Sequence, residues 1–307
     1  MFHRFAVSED RHSPGFFRRC LHYLRAHRFN LIELETLVRA GLEGRPIPRR
    51  AVAITFDDCY LDQFEIGLPL LAEYDVPATF FLTSGFADGE LWMWWDQIEY
   101  LVQRADVPRL EIVAPSGPVQ RYDLSTEAGR IGAINSLVEY CKEVPQTLMR
   151  TTIEAVAVAC HCELPEVPPS EYRGMTWEDA RIAERLGIRF GPATVSHPIL
   201  SRVEDSRAEH EIAESWRRVR EELSEPVPIF CFPNGKPPDF GPREIQLCAR
   251  AGLLGAVSAQ HHYFEPDTLR AQPEAAFAIP RFSAPESFPE LVRIVSGLEV
   301  LLNAIRR

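Results

Sequence analysis

The residues best suited to chemistry are two adjacent carboxylates, Asp57 and Asp58, near the end of the apolar run 51–60. The β-branched residues of this run predict a buried parallel strand with the two acids at its C-terminal end. Open α/β sheets and β/α barrels place their ligand sites at that end of the strands. Because neighbouring carboxylates repel each other, a cation or a proton is expected beside them. The pair indicates either a metal site with one acid free for proton transfer or a solvated turn that caps the next helix.

Three further strand-to-loop junctions carry residues that could act with the acidic pair. His197 precedes a proline after one predicted strand, although a single histidine is more often structural than functional. Pro233 and Asn234 follow another strand, where backbone N–H groups could stabilise an oxyanion. Arg281 lies at a fourth junction and is the arginine that we expect to face the acids. Since the carboxyl ends of parallel strands meet at one edge, these residues are expected to converge.

A tryptophan cluster at 92–95 is a candidate platform for a sugar. Trp94 and Trp95 could stack on pyranose faces and bind substrate. Such clusters more often pack in a core, and that alternative stays open.

The elements that must position these residues alternate between strand and helix, which predicts an α/β fold with parallel strands. Strands are predicted at 29–32, 51–56, 78–83, 188–191, 228–232 and 255–258. Helices are predicted at 15–28, 34–40, 64–74, 177–186, 205–222, 242–252 and 288–305, with Gly41 closing the second of them. We interpret residues 1–307 as a single domain. Residues 86–175 are predicted to form a mostly helical insertion, with a hairpin over 110–122 and helices over 126–142 and 146–161.

Composition narrows the function classes. A chain of 307 residues with 46% hydrophobic and 25% charged residues is globular, which excludes a disordered or coiled-coil protein. The net charge of −11 disfavours binding to nucleic acid. No apolar run is long enough for a membrane span, and no signal peptide is visible, so a cytoplasmic location is expected. Seven cysteines with scattered spacing indicate reduced thiols.

Four motifs together resemble the polysaccharide deacetylases, carbohydrate esterase family 4. They are Thr55–Asp58, Val76–Phe81, Thr194–Pro198 and Phe232–Gly235, in that order along the chain. The resemblance implies a distorted (β/α) barrel of about seven parallel strands. It also implies a hydrolase of C–N amide bonds that removes acetyl groups from N-acetylated amino sugars in a polysaccharide or oligosaccharide. Its cofactor would be a divalent metal, usually zinc, held by one aspartate and two histidines.

The resemblance implies a role for each site residue. Asp57 would be the general base, Asp58 the metal carboxylate and His197 the second histidine of the family's His-x-x-x-His-Pro motif. Arg281 would orient Asp57. A loop amide near Asn234 would share the oxyanion with the metal.

The sequence departs from the family pattern at the metal site. The position of the motif's first histidine is Ala193, so one of three protein ligands is missing and zinc binding should be weak or absent. Cys59, His261 or His262 could replace it. The late histidine that commonly acts as general acid is also missing, since no histidine follows His262.

Two hypotheses follow from these departures. The first is a metal-dependent deacetylase of N-acetylated glycans whose metal site is impaired by Ala193. The second is a catalytically inactive relative, natural or engineered, that binds a glycan or a partner protein. In either case, apolar surface on the insertion would allow a homodimer.

Overall fold

The structure is a computed structural model that describes residues 1–5, 13–113 and 119–299. The chain divides into two compact units. The first comprises Met1–Glu90 and Gly174–Arg307, and the second comprises Leu91–Arg173.

The first unit is an α/β fold whose described strand pairs are all parallel. In chain order the strands of the whole molecule are β1 (Asn30–Leu31), β2 (Ala51–Val52), β3 (Ile54–Phe56), β4 (Ala78–Thr83), β5 (Arg109–Val113), β6 (Val119–Asp123), β7 (Arg189–Thr194), β8 (Ile229–Cys231) and β9 (Gly255–Val257). The pairings are β1 with β2, β3 with β4 with β7, and β8 with β9. Parallel bridges also join Phe2 to Phe56, Phe190 to Pro226 and Val257 to Ile279. These pairings establish a parallel α/β fold, which is a coarser description than the expected barrel of about seven strands.

Twelve α-helices connect or cover the strands in the described part of the chain. They are α1 (Pro14–Ala26), α2 (Leu34–Glu43), α3 (Leu68–Glu73), α4 (Ser84–Ala87), α5 (Trp94–Gln103), α6 (Glu127–Glu143), α7 (Gln146–Ala159), α8 (Trp177–Arg185), α9 (Asp205–Glu222), α10 (Pro242–Arg250), α11 (Pro266–Ala271) and α12 (Phe288–Ser296). Side-chain caps begin several of them. The Ser13 hydroxyl accepts the N–H of Phe16 before α1, and Thr176 and Asp179 form a capping box at α8.

Three predicted helix boundaries are wrong. Gly41 lies inside α2, which ends at Gly44 because that glycine adopts a left-handed conformation with φ of 66°. The first part of the helix predicted at 64–74 is a π-helical turn, Gln63–Gly67. The helix predicted over 288–305 ends at Ser296 because Gly297 has φ of 81°. The rest of that prediction, from residue 300 onward, lies outside the described residues.

A row of phenylalanines holds the strands that carry the site. Phe56 on β3, Phe80 on β4 and Phe190 on β7 are fully buried. The ring centroids of Phe56 and Phe80 are 4.6 Å apart, and those of Phe80 and Phe190 are 5.7 Å apart. Such ring pairs add to the stabilisation from buried area alone. The packing keeps the C-terminal ends of three strands side by side at a fixed register.

The second unit has its own apolar core. Its helices α5, α6 and α7 pack with the antiparallel hairpin β5–β6, which lies where a hairpin was predicted. Residues 114–118 at the tip of that prediction lie outside the described residues. The core side chains include Ile98, Leu101, Val102, Leu110, Leu137 and Val156.

None of the helices described for this chain combines the length and the apolar composition that crossing a membrane requires.

Candidate active site

Asp57 and Arg281 form a buried, two-pronged ion pair at the end of β3. Arg281 Nη1 donates to Asp57 Oδ1 at 2.7 Å, and Nη2 donates to Oδ2 at 2.9 Å. Both side chains are buried. A planar guanidinium that meets a carboxylate in this way fixes the orientation of the carboxylate as well as its charge.

Arg281 is itself held from three further sides. Its Nε donates to the Ser258 carbonyl at 3.1 Å, Nη1 donates to Thr55 Oγ1 at 3.0 Å, and Nη2 donates to Cys231 Sγ at 3.3 Å. These partners lie on or directly after β3, β8 and β9. The guanidinium next to Asp57 is therefore hydrogen-bonded to residues at the C-terminal ends of three strands.

The environment of Asp57 keeps its carboxyl ionised. Burial would raise the pKa, but the charge of Arg281, the charge of a protonated His3 and the hydrogen bonds from Arg281 outweigh it. The net result is a pKa below the ordinary aspartate value of 3.8. In the same contact, burial would lower the pKa of Arg281, and the Asp57 charge more than reverses that effect. At neutral pH the pair is a carboxylate and a guanidinium.

Asp58 and His197 meet beside this ion pair. His197 Nε2 lies 3.3 Å from Asp58 Oδ1, and both side chains are largely buried. Asp58 has φ of 71° and His197 has φ of 54°, values that few non-glycine residues adopt. Backbone strain of this kind concentrates at functional sites, where the surrounding structure holds it in place. The arrangement brings together the two residues that the sequence proposed as metal ligands.

Ala193, at the position of the expected third ligand, is buried. It is 3% exposed and belongs to an apolar cluster with Phe81 and Ile229. Within residues 1–5, 13–113 and 119–299, no three His, Cys, Asp or Glu side chains form a group that could hold a metal ion. The donor set near Asp58 consists of that carboxylate and one imidazole.

The three residues considered as replacements for the missing ligand are a protonated thiol and two histidines that contact other side chains. Burial, and then the Asp58 charge, raise the pKa of the Cys59 thiol well above its ordinary value, so it stays protonated. His261 lies with Nε2 2.9 Å from Ser283 Oγ, and His262 lies 3.9 Å from Glu265.

Sequence reasoning missed His3, which the structure places beside Asp57. Its Nε2 is 3.8 Å from Asp57 Oδ2, and its side chain is 52% exposed. The backbone of Phe2 bonds to β3 in register, since Phe2 N–H donates to Thr55 O and Asp57 N–H donates to Phe2 O, both at 2.8 Å. His3 and Asp57 are far apart in sequence, so no local spacing links them. The resemblance to the polysaccharide deacetylases extends from His3 to about Arg281, and that starting point was the signal that could have found it.

The loop after β8 lies against the segment that holds Arg281. Asn234 and Gly235 have φ of 58° and 67°. Ala259 N–H donates to the Gly235 carbonyl at 2.7 Å, and a side chain at position 235 would come within 2.9 Å of that nitrogen. Glycine is therefore required for this close approach. Pro233 is buried. The loop lies at the same edge as Ser258, whose carbonyl accepts from Arg281.

The proposed sugar-binding tryptophans belong to the second unit. Trp94 and Trp95 begin α5, with ring centroids 5.3 Å apart in an edge-to-face arrangement. Their role in substrate binding stays a prediction.

A sequence comparison bears on the strand that carries the acids. Residues 44–107 match the family model described as polysaccharide deacetylase, and this range includes both Asp57 and Asp58. The match covers 64 of the 307 residues and supports a relationship to the polysaccharide deacetylase family. No curated protein sequence matches it closely enough to count as a relative.

Solved structures show that the fold is shared with known deacetylases. The chain is similar to Streptococcus pyogenes deacetylase PplD, solved in complex with acetate, with a TM-score of 0.62, 14% identity and 96% of each chain covered. It is similar to IcaB from Ammonifex degensii, with a TM-score of 0.59, 15% identity and coverage of 96% of this chain and 94% of IcaB. It also resembles the BpsB deacetylase domain from Bordetella bronchiseptica, with a TM-score of 0.53, 16% identity and coverage of 92% and 87%.

Proposed function

We propose that this polysaccharide deacetylase relative removes acetyl groups from N-acetylated amino sugars in a glycan. The observation that carries the proposal is the placement of Asp57. An ionised carboxylate oriented by Arg281 has a half-exposed imidazole, that of His3, 3.8 Å from its Oδ2. A base of fixed orientation next to a second proton carrier is what amide hydrolysis needs.

Asp57 is proposed as the base that accepts a proton from the attacking water. The water oxygen bonds to the acetyl carbon while its proton passes to the carboxylate. Arg281 occupies one lone pair on each oxygen, so each oxygen retains another for this purpose. Because the pKa of Asp57 is lowered, the base form is present at all pH values above the ordinary aspartate range.

His3 is proposed as the proton donor to the leaving nitrogen. The C–N bond of the tetrahedral intermediate breaks only when the amine takes up a proton. A carboxyl with a lowered pKa is a weak carrier for that proton, whereas an imidazole suits proton transfer near neutral pH. The products are acetate and the free amino sugar.

Asp58 and His197 are proposed to hold a divalent metal, with zinc favoured by their oxygen and nitrogen donors. Asp58 Oδ1 and His197 Nε2 lie 3.3 Å apart, so both atoms could contact one ion. Bound there, the metal would polarise the acetyl carbonyl and lower the pKa of a water molecule. With Ala193 in place of a third protein ligand, its affinity is expected to be low.

The substrate contacts are proposed from the loop and the tryptophans. The Asn234 region would donate backbone N–H groups to the developing oxyanion. Trp94 and Trp95 would stack on sugar rings.

The test is acetate release from N-acetylglucosamine oligomers in the presence of zinc, by the unaltered chain and by Asp57→Asn. We expect the substitution to lower the rate by about 10²- to 10⁴-fold, since general-base catalysis contributes that much. Asp75→Asn, at an exposed aspartate, is the matched control and should leave the rate unchanged. Equal rates in all three proteins would contradict the role of Asp57.

One observation favours a second function, a glycan-binding relative without catalysis. Ala193 packs into an apolar cluster, so the chain is adapted to the absence of a ligand there. Binding of the oligomers in calorimetry, with no acetate released at any zinc concentration, would establish this alternative and exclude the first proposal.

A further inference from the structure

A buried glutamate lies beneath the loop that carries His197. Glu211 on α9 is 2% exposed. Its Oε2 accepts the N–H of Val195 at 2.9 Å and the N–H of Ser196 at 2.8 Å. Its Oε1 accepts the Ser196 hydroxyl. All three donors belong to the two residues that immediately precede His197.

The charge of Glu211 is compensated within the same small cluster. Arg207, one helical turn earlier on α9, places Nη2 3.3 Å from Glu211 Oε1 and 3.2 Å from Ser196 Oγ. A buried carboxylate is costly unless it is hydrogen-bonded and paired. Two of its hydrogen bonds come from backbone N–H groups, which align only when the loop adopts one conformation. The desolvated charge therefore selects that conformation.

The loop needs such an anchor because its backbone is strained. Thr194 has φ of 142° and His197 has φ of 54°, both in the positive region that non-glycine residues avoid. Conformations of this kind persist only where surrounding contacts hold them. Two further hydrogen bonds support the loop, one from Gly85 N–H to the Val195 carbonyl at 2.9 Å and one from His197 N–H to Thr194 Oγ1 at 3.0 Å.

We propose that Glu211 is a positioning residue that holds loop 194–197 so that the His197 imidazole faces Asp58. It acts through the backbone of Val195 and Ser196 and touches no reacting group. The kinetic part of this inference rests on the proposed deacetylase function, whereas its structural part does not.

The test compares Glu211→Gln with the unaltered protein by NMR at one pH. The glutamine carbonyl oxygen can replace Oε2 as acceptor of both N–H groups, but these bonds are weaker because they are no longer to a charged group. Its NH₂ group then lies where Oε1 accepted from Arg207 and from the Ser196 hydroxyl, and it cannot accept from either. We expect exchange of these two amides to become about tenfold faster and the His197 imidazole resonances to move. Glu209→Gln is the matched control, because Glu209 lies on the same helix, is exposed and pairs with Arg250 at 3.0 Å. It should change neither signal.

A glutamate that only stabilised the fold would lower the melting temperature without moving the His197 resonances. Folded Glu211→Gln with unchanged His197 signals therefore overturns the proposal. Should that variant fail to fold, the unaltered protein still decides the matter, because rapid exchange of the Val195 and Ser196 amides would be incompatible with the proposed anchor.

If acetate is released by the unaltered chain, Glu211→Gln should lower kcat by about tenfold with little change in KM. If no acetate is released, the proposed function fails and the NMR comparison still tests Glu211.

Discussion

Arg281 is a buried cation whose guanidinium is shared among Asp57, Thr55, Ser258 and Cys231. Replacing Asp57 with Asn leaves this charge without its partner, which should cost about 3–5 kcal/mol of unfolding free energy at pH 7. The pKa of Asp57 is depressed, so the stabilisation is present above the ordinary value of 3.8 and is lost as pH falls through the lower folded value. Urea unfolding of both proteins at pH 7 and near pH 3 measures the difference.

The difference between the two proteins should shrink as pH falls below 3.8, since the unfolded chain then takes up a proton that the folded Asp57 carboxylate resists. Asp75→Asn, at an exposed carboxylate, should show no difference at either pH. An Asp57→Asn effect of equal size at both pH values would be inconsistent with a pairing that depends on ionisation.

A substitution at Ala193 should change the affinity of the proposed metal site. Substituting Ala193→His would add a third donor beside Asp58 and His197, and we expect zinc affinity to rise by at least about 10- to 100-fold. Calorimetric titration of the desalted proteins measures this change. The double variant Ala193→His with His197→Ala should lose the gain. A folded Ala193→His protein with unchanged affinity would mean that these residues do not form a metal site.

At the scale of elements, the segment 1–5 that carries His3 is fastened to the turn after β3. Gln63 donates to the carbonyls of His3 and Asp57, the latter at 2.6 Å. Asp62 Oδ2 accepts the Phe5 N–H at 2.8 Å. Burial is the main cause that raises the pKa of Asp62 to about 6, while the bond from Phe5 opposes the shift. Ionisation of the Asp62 carboxyl therefore lowers the stability of the folded protein, although this side chain helps to hold segment 1–5 in place.

Asp62→Asn should relieve this cost while keeping an acceptor for Phe5. Because the folded pKa is raised, the favourable contribution is complete below 3.8 and is lost as pH rises through about 6. The variant should be more stable than the unaltered chain at pH 8, by up to about 3 kcal/mol, and equal to it near pH 3.5. Urea unfolding at the two pH values measures this, with Glu90→Gln at an exposed position as control. Lower stability at pH 8 would show that the ionised carboxylate is needed.

At the scale of the whole molecule, each of the two units has its own apolar core. Ile98 is fully buried in the core of Leu91–Arg173. Ile98→Ala should cost about 2–5 kcal/mol of local stability and accelerate amide exchange within that unit. Amides of β3, β4 and β7 should keep their protection. Val158→Ala, at a side chain that is 77% exposed, is the control in the same unit. A uniform loss of protection in both units would show that they unfold together.

The sequence alone determined the elements whose signals are local. The run before Asp57 predicts a buried strand because its β-branched residues favour one, and the alternation of strands and helices predicts a parallel α/β fold. Helix ends were less predictable. Gly41 and Gly44 are both compatible with a C-terminal cap, and only the packed helix decides which glycine takes the left-handed conformation.

The chemistry of the site depended on contacts between residues that are distant in sequence. The strand-end motifs placed Asp57, Asp58, His197 and Arg281 at one edge, but spacing along the chain carries no distances between them. Only the tertiary structure joins Arg281 to both oxygens of Asp57, brings His3 beside that carboxylate and places Glu211 beneath the loop of His197. The physical reason is that strand pairing and core packing bring these residues together, and burial then gives each charge a partner of fixed geometry.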